Sequence, residues 1–452
     1  MSVVEYLTHF FEGNARSVKA KKNITAMFLL KGVSAVVSFM LVPVMIGYLG
    51  TVDYGIWITL GSIISWLNFF DVGLGNGMRN KFAEALAKGD GVLARVYVST
   101  TYAMLSLIVG ALLILSLLII PFVNWTAVFN APPQSGAQLG LLVTFVVIFF
   151  LIKFLFGLIG TMLVADQRPA MQSLMDAIAS ILSLIAVFIL SRTTVHSLLY
   201  LGIAVSLSAA VVPVAASLFF FRSGYRAYVP SIRYVKLEHA RELTSLGFQF
   251  FFIQVAVIVI FLSSNLIITQ LFGPAQVTVY NVVFKYFNIV TMVSSIVNAP
   301  FWSAHTEAYQ NGDTGWIRNA VQRLTRIWYL LVVCVIAMIG FSNWFYRIWV
   351  GNAVEVPVML SVAMGAFVVV SAWNNIFVGF INGVGRIRLQ LYSAAIGAII
   401  NIPLAIFLAK YVGLGVSGVV IAASISLIGG TVINPIQYRK IIGGTATGVW
   451  YR

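Results

Sequence analysis

The sequence predicts an all-α integral membrane protein with about 12 transmembrane helices in two six-helix lobes related by an internal repeat. Three observations predict it. Apolar residues make up 60% of the chain and charged residues 9%, against about 25% charged in a soluble domain. Twelve runs are long and apolar enough to span, at ~20 residues each. One pattern is also written twice. Glu84, Ala85, Gly89, Asp90 and Arg95 return as Glu307, Ala308, Gly312, Asp313 and Arg318, each 223 residues later, and Gly50 returns as Gly273 at the same offset. A duplicated polytopic chain is the sequence mark of a transporter whose two lobes rock against each other.

The spans are expected near 24–48, 54–74, 96–120, 138–164, 171–191, 198–221, 243–271, 277–302, 323–346, 357–383, 389–410 and 413–437. Backbone groups in lipid must be satisfied within the segment, so these runs are helices. They are too uniformly apolar for barrel strands. The first follows Arg16, Lys19, Lys21 and Lys22 and runs past signal-peptide length without a small-residue cleavage site, so it reads as a span. Before it, Val3–Phe11 is expected to lie at the interface as a short amphipathic helix. Pro43, Pro213, Pro300 and Pro403 fall inside spans and should kink or unwind them. The longest polar stretch, Arg222–Glu242, carries Gly224 and Pro230 and follows the sixth span. The chain therefore divides into an N-terminal lobe (1–225), a cytoplasmic linker (226–242) with a short helix from Tyr234 onward, and a C-terminal lobe (243–452). Six spans per lobe make the lobes parallel repeats.

The net charge of +15 is placed by topology. With the N-terminus inside, only Arg192, Arg347 and Lys410 fall outside, while Lys31, Lys153 and Lys285 lie within spans. All other Lys and Arg fall inside. Such a bias puts both termini in the cytoplasm. It accounts for the basic residues through contact with anionic lipid, with no need for nucleic acid. Cys334 is the single cysteine, and His9, His196, His239 and His305 fall in separate segments. No thiolate cluster or compact metal site is expected, and no cofactor.

The repeated stretch reads as a capped elbow at the cytoplasmic surface. Arg79–Lys88 forms a short helix with Phe82, Ala85 and Leu86 on one face, and Glu84 and Lys88 can pair at i,i+4. Gly89 suits a left-handed C′ position, and Asp90 caps the next helix. The elbow either holds the turn or serves as a gating hinge.

Gly-Thr-Val-Asp-Tyr-Gly-Ile-Trp (50–57), Phe-Phe-Asp-Val-Gly-Leu-Gly-Asn-Gly-Met-Arg-Asn-Lys (69–81) and Ala-Glu-Ala-Leu-Ala-Lys-Gly-Asp (83–90) resemble the first lobe of bacterial polysaccharide-repeat flippases. These are the O-antigen or Wzx-type translocases of the multidrug/oligosaccharidyl-lipid/polysaccharide exporter superfamily. The resemblance is sharpest over 48–95, and the echo at 271–318 is looser, with Val277-Thr278 in place of Tyr54-Gly55. It implies a bacterial inner-membrane flippase for a lipid-diphosphate-linked oligosaccharide, such as undecaprenyl-diphosphate bearing one O-antigen or related unit. Polysaccharide polymerase and glycosyltransferase partners are implied by the family alone. It also implies a cavity between the lobes, lined by the first two helices of each.

A charge at mid-membrane costs ~2.5–3.5 kcal/mol even on a permissive scale, so each needs a reason. Lys31, Lys153 and Lys285 place cations at three depths, while Asp71 and Asp176 lie near the inner ends of their spans. A diphosphate crossing a low-dielectric path requires fixed positive charge; organic cations would require mid-depth acids. Lys31, Lys285 and Lys153 are thus candidates for a cationic substrate path, with Arg79 at its cytoplasmic mouth. The competing reading has Lys31 paired with Asp71 and Lys285 snorkelling outward. Asp71 is the titratable candidate for coupling or for helix packing. Trp57, Trp66, Phe69 and Phe70 offer rings for stacking on sugars or for packing. Asn265, Asn281, Asn288 and Asn298 offer amides for sugar hydroxyls or for helix–helix bonds.

Two alternatives remain beside the flippase. One is a multidrug exporter of the same superfamily. The other is a membrane glycan polymerase or ligase, which needs convergent acid–base groups. The outer loops offer only Asp53, Arg192, His196, Arg347, Glu355 and Lys410, scattered and without a motif, so the chain is read as a transporter and not as an enzyme.

Overall fold

The computed structural model describes residues 15–71, 73–133, 136–240 and 263–451. The expected helix at Val3–Phe11 and most of the seventh span lie outside them. The order is α1 (Ala15–Ser65), a 3-10 turn (Trp66–Asp71), α2 (Leu74–Ala87), α3 (Gly91–Ile119), α4 (Trp125–Phe129), α5 (Gly136–Phe156), α6 (Leu158–Ala165), α7 (Pro169–Thr193) and α8 (Leu198–Arg222). After the linker come α9 (Ser263–Phe272), α10 (Pro274–Gln310), α11 (Thr314–Val350), α12 (Val358–Val384), α13 (Arg388–Ile406) and α14 (Gly415–Ile442).

Among the described residues, ten helices are long and apolar enough to cross a membrane. The first of these, Thr25–Asn68, holds two of the expected spans. α1 is broken at Gly50 (φ 75°, ψ 176°), a backbone state outside the helical region. Gly273, which precedes α10, adopts nearly the same state (φ 87°, ψ 165°). The duplication thus preserves a hinge conformation that a side chain would oppose. Exposed Leu107, Ile114 and Leu118 form one stripe on α3, as a lipid-facing helix requires. Between Arg226 and His239 the linker forms three single 3-10 turns in place of the expected helix from Tyr234, and residues 241–262 lie outside the described part.

The chain divides into two compact units. Unit 1 comprises Met1–Leu49, Ile64–Ala127 and Pro132–Phe251; unit 2 comprises Gly50–Ile63, Val128–Ala131 and Phe252–Arg452. In unit 1, α2 buries Leu74, Met78, Phe82 and Ala85, one helical stripe, against Tyr97, Leu105 and Met162. In unit 2, Ile317 and Leu324 of α11 pack on Phe377 and Phe380 of α12 and Tyr438 of α14.

Candidate functional site

Unit 1 contains a cavity of about 390 Å³ lined by Ser38 of α1, Lys153 of α5, and Gln172, Asp176, Ser180 and Ser183 of α7. The Asp176 carboxylate interacts electrostatically with Lys153 first and Lys31 second. A smaller cavity of about 220 Å³ shares Lys153 and adds Asn68 and Asp71. Lys153 therefore stands between two cavities, each with one carboxylate in its wall. Its helix is interrupted one turn later, where the Gly157 N–H donates to the Lys153 carbonyl at 2.8 Å and α6 starts. A Cβ at Gly157 would sit 2.9 Å from that carbonyl oxygen, so the break depends on glycine.

Lys153 and, more weakly, Lys31 thus act on Asp176 through their charge, and the bridge from Lys31 to Asp71 does not form among the described residues. Asp71 acts locally: the Gly75 N–H donates to both its carboxylate oxygens at 3.0 Å, anchoring the start of α2. Lys285 lies half-buried in unit 2, about 17 Å along α10 from Pro274 at 1.5 Å per residue. Arg79 is exposed on α2. Asp176 is the residue the sequence reading placed near an inner helix end without a partner. Its signal was there in the stripe Gln172, Asp176, Ser180 and Ser183, polar at helical spacing on an apolar span. With Asp176 in the wall, the cavity carries both signs of charge.

The repeated elbow has the same geometry in both copies. Gly89 and Gly312 both take φ of +71°. Asp90 N–H donates to Ala85 O at 3.0 Å and Asp313 N–H to Ala308 O at 2.9 Å, the six-to-one closure of a Schellman turn. Asp90 accepts from the Leu93 N–H, and Asp313 from the Trp316 N–H, both at 2.8 Å. Arg95 Nε donates to the Val229 carbonyl at 3.0 Å. Lys88 donates to Glu84 at 2.7 Å and holds that exposed carboxyl below its usual range; Glu307 has Asn311 at the matching place, so the second copy lacks this pair.

Within unit 2, residues 50–63 meet the start of the second copy along a polar seam. Tyr54 donates to Asn281 Oδ1 at 3.2 Å, Thr59 and Thr269 share a hydrogen bond at 2.7 Å, Asn265 donates to Ser62 at 2.7 Å, and Thr278 donates to the Thr51 carbonyl at 2.5 Å. A Cβ on Gly55 would collide with the Pro274 carbonyl. The loop around Val128 joins in, with Gln270 donating to the Val128 carbonyl at 2.7 Å. Asn265 and Asn281 thus bond across helices, and Asn298 bonds back to Ser294 of its own helix. The duplication maps Thr51 to Pro274 and Gly55 to Thr278. The contact Thr51–Thr278 is therefore exchanged with Pro274–Gly55, the mark of a self-complementary two-fold contact.

The chain's fold is similar to that of solved transporters. An inward-facing multidrug resistance MATE family transporter of the MOP superfamily matches with a TM-score of 0.71 at 15% identity, covering 93% of this chain and 95% of that one. This is the fold of the MOP-superfamily transporters. The lipid II flippase MurJ, in an inward closed conformation, matches with a TM-score of 0.68 at 14% identity over 93% of each chain. A curated Bacillus subtilis protein, described as the uncharacterized membrane protein EpsK, is 22% identical over 431 residues, 94% of this chain and 84% of its own. No family model matches the chain.

Proposed function

We propose that the chain flips a lipid-diphosphate-linked oligosaccharide unit, O-antigen or a related polysaccharide repeat, from the cytoplasmic to the outer leaflet of a bacterial inner membrane. The observation that carries this reading is the set of intramembrane cations, with Lys153 lining one cavity, Lys31 within electrostatic reach of the Asp176 carboxylate in its wall, and Lys285 on α10. Fixed cations in a low-dielectric wall favour a diphosphate, while its lipid tail stays in the bilayer. The MOP fold, which includes a lipid II flippase, supports it. Both termini face the cytoplasm, and residues 1–225 rock against 243–452 about the linker 226–242 in alternating access. Polymerase and glycosyltransferase partners follow from the same reading.

One observation favours a second reading. Asp176 shares the cavity with Lys153, and a carboxylate there suits the organic cations of a multidrug exporter. The two readings separate in the host strain. Deletion of the chain should abolish surface polysaccharide while single lipid-diphosphate-linked units accumulate facing the cytoplasm. Complementation with Lys31→Ala, Lys153→Ala or Lys285→Ala at equal protein level should lower surface polymer about tenfold per essential charge, a loss of ~1.4 kcal/mol. Unaltered polymer in the deletion strain, or full complementation by all three variants, rejects the flippase reading. Unpolymerised units at the outer face would place the chain after flipping, as an enzyme.

A further inference from the structure

Unit 2 holds a larger cavity that the transport reading does not use. It has a volume of about 580 Å³ and opens at the helix ends that carry the repeated elbow. Arg318 and Arg326 of α11 and Arg439 of α14 line it around Tyr329, Trp373 and Tyr438. Among the described residues, no acidic residue is in its wall. Among the described residues none of the three guanidiniums has an ion-pair partner. Arg318 and Arg439 both lie within electrostatic reach of Tyr438. The aromatic floor is fixed, since the Trp373 indole donates to the Thr431 carbonyl at 3.3 Å and its ring lies edge-on to Phe377 at 5.0 Å.

The first copy shows what such a face does when it is filled. Arg318, Gln322, Thr325, Arg326 and Tyr329 form one stripe of α11, and their counterparts on α3 are Arg95, Ser99, Tyr102, Ala103 and Ser106. On α3 the linker occupies the face. Besides the Arg95 bond to the linker carbonyl, the Ser231 N–H donates to Ser99 at 3.2 Å, the neighbouring Thr100 accepts from the Lys236 N–H at 3.0 Å, and Tyr234 lies under the Arg95 guanidinium at 4.3 Å. Among the described residues, no chain segment takes that place on α11. The second copy instead has Arg326 where the first has Ala103. Among the described residues, the face that is closed by peptide in one copy is open and more basic in the other. Along the same helix, Tyr329, Leu330, Val333 and Ile336 are exposed and apolar, continuing from the basin along the span.

We infer that this basin binds the phosphodiester headgroup of an acidic membrane phospholipid, with Arg318, Arg326 and Arg439 on the phosphate and the acyl chains along the exposed stripe of α11. Guanidiniums pair phosphate oxygens through several donors at once, and unpaired cations beside an apolar helix face at the interface match a lipid better than a soluble anion.

Purified full-length protein, delipidated and titrated with phosphatidylglycerol or phosphatidylcholine, tests this by native mass spectrometry. Wild type should retain phosphatidylglycerol in preference to phosphatidylcholine. Arg326→Ala, which restores the first copy's residue, should weaken retention several-fold, and R318Q/R326Q/R439Q by about tenfold or more. Arg347→Gln, near the other end of α11, should leave it unchanged. An unchanged melting temperature for Arg326→Ala keeps that variant informative should the triple variant misfold. Equal retention by wild type and Arg326→Ala overturns the proposal. Displacement of the lipid by millimolar inorganic phosphate would show an anion site without lipid character and overturn it too. Capture of undecaprenyl diphosphate but not phosphatidylglycerol would reassign the basin to the transported lipid.

Discussion

His305 shows how one substitution changes a duplicated site. It occupies the position of Phe82 in the first copy. Phe82 is fully buried, edge-on to Tyr228 at 5.3 Å. His305 is fully buried among Phe301, Trp316 and Phe380, and among the described residues neither ring nitrogen has a hydrogen-bond partner. Burial pulls its imidazole down to about 4. The unfolded chain, with an ordinary value near 6.5, therefore binds the proton first. Its contribution is intact above pH 6.5, and stability falls as pH drops from about 6.5 toward 4. His305→Phe, the first copy's own residue, should flatten that decline in a melting-temperature series between pH 7 and pH 4.5. Parallel curves for variant and wild type would mean that other groups set the acid response. The sequence showed His305 but not its setting: Phe301 and Trp316 lie within eleven residues of it, but only packing brings Phe380 of α12 against the ring.

At the scale of the element, the elbow depends on a handful of adjacent positions, which is why its geometry is readable from sequence. A left-handed glycine followed by a capping aspartate closes one helix and starts the next within six residues. Nothing lies within 4 Å of a Cβ added at Gly89 or Gly312, so substitution there tests backbone strain alone. Gly312→Ala should cost about 1–2 kcal/mol, and Gly312→Asn less, because asparagine tolerates the left-handed region. Thermal unfolding in detergent orders the two; equal losses would show that strain is not the source. The cavity around Lys153 was less legible. The lysine and the polar stripe of α7 are each visible, but only packing brings the separate helices together around Asp176. The stretch Thr25–Asn68 shows the reverse case, where two readable spans are joined through the positive φ of one glycine, Gly50.

At the scale of the whole molecule, the seam between residues 51–62 and 265–281 was beyond the reach of sequence. Its partners are more than 200 residues apart, and its threonines and asparagines look like any polar residues in apolar helices. Four interhelical bonds at about 0.6 kcal/mol each in a membrane protein sum to a few kcal/mol, within what a bound substrate or ion can supply to shift a two-state equilibrium. Alternating access, as proposed, requires this seam to part. Thr59→Cys with Thr269→Cys, in a Cys334→Ser background, should form a disulfide under oxidation that stops surface-polysaccharide delivery, and reductant should restore it. Full delivery by the cross-linked protein would show that the seam stays shut throughout the cycle.

The self-complementary character of that seam also bears on ancestry. A chain of half this length, with one copy of the pattern, would present Gly55-type and Thr51-type positions on a single surface and would meet a second copy of itself through them. Fusion of two such halves turns an encounter that depends on protein concentration into one within a single polypeptide, where the effective concentration is set by the connecting chain. Once fused, each half is free of the demand that it match itself. Tyr54 bonded to Asn281, while the mirrored positions hold Ile58 and Val277, records that freedom: one polar and one apolar pair of residues where a homodimer would have had two alike.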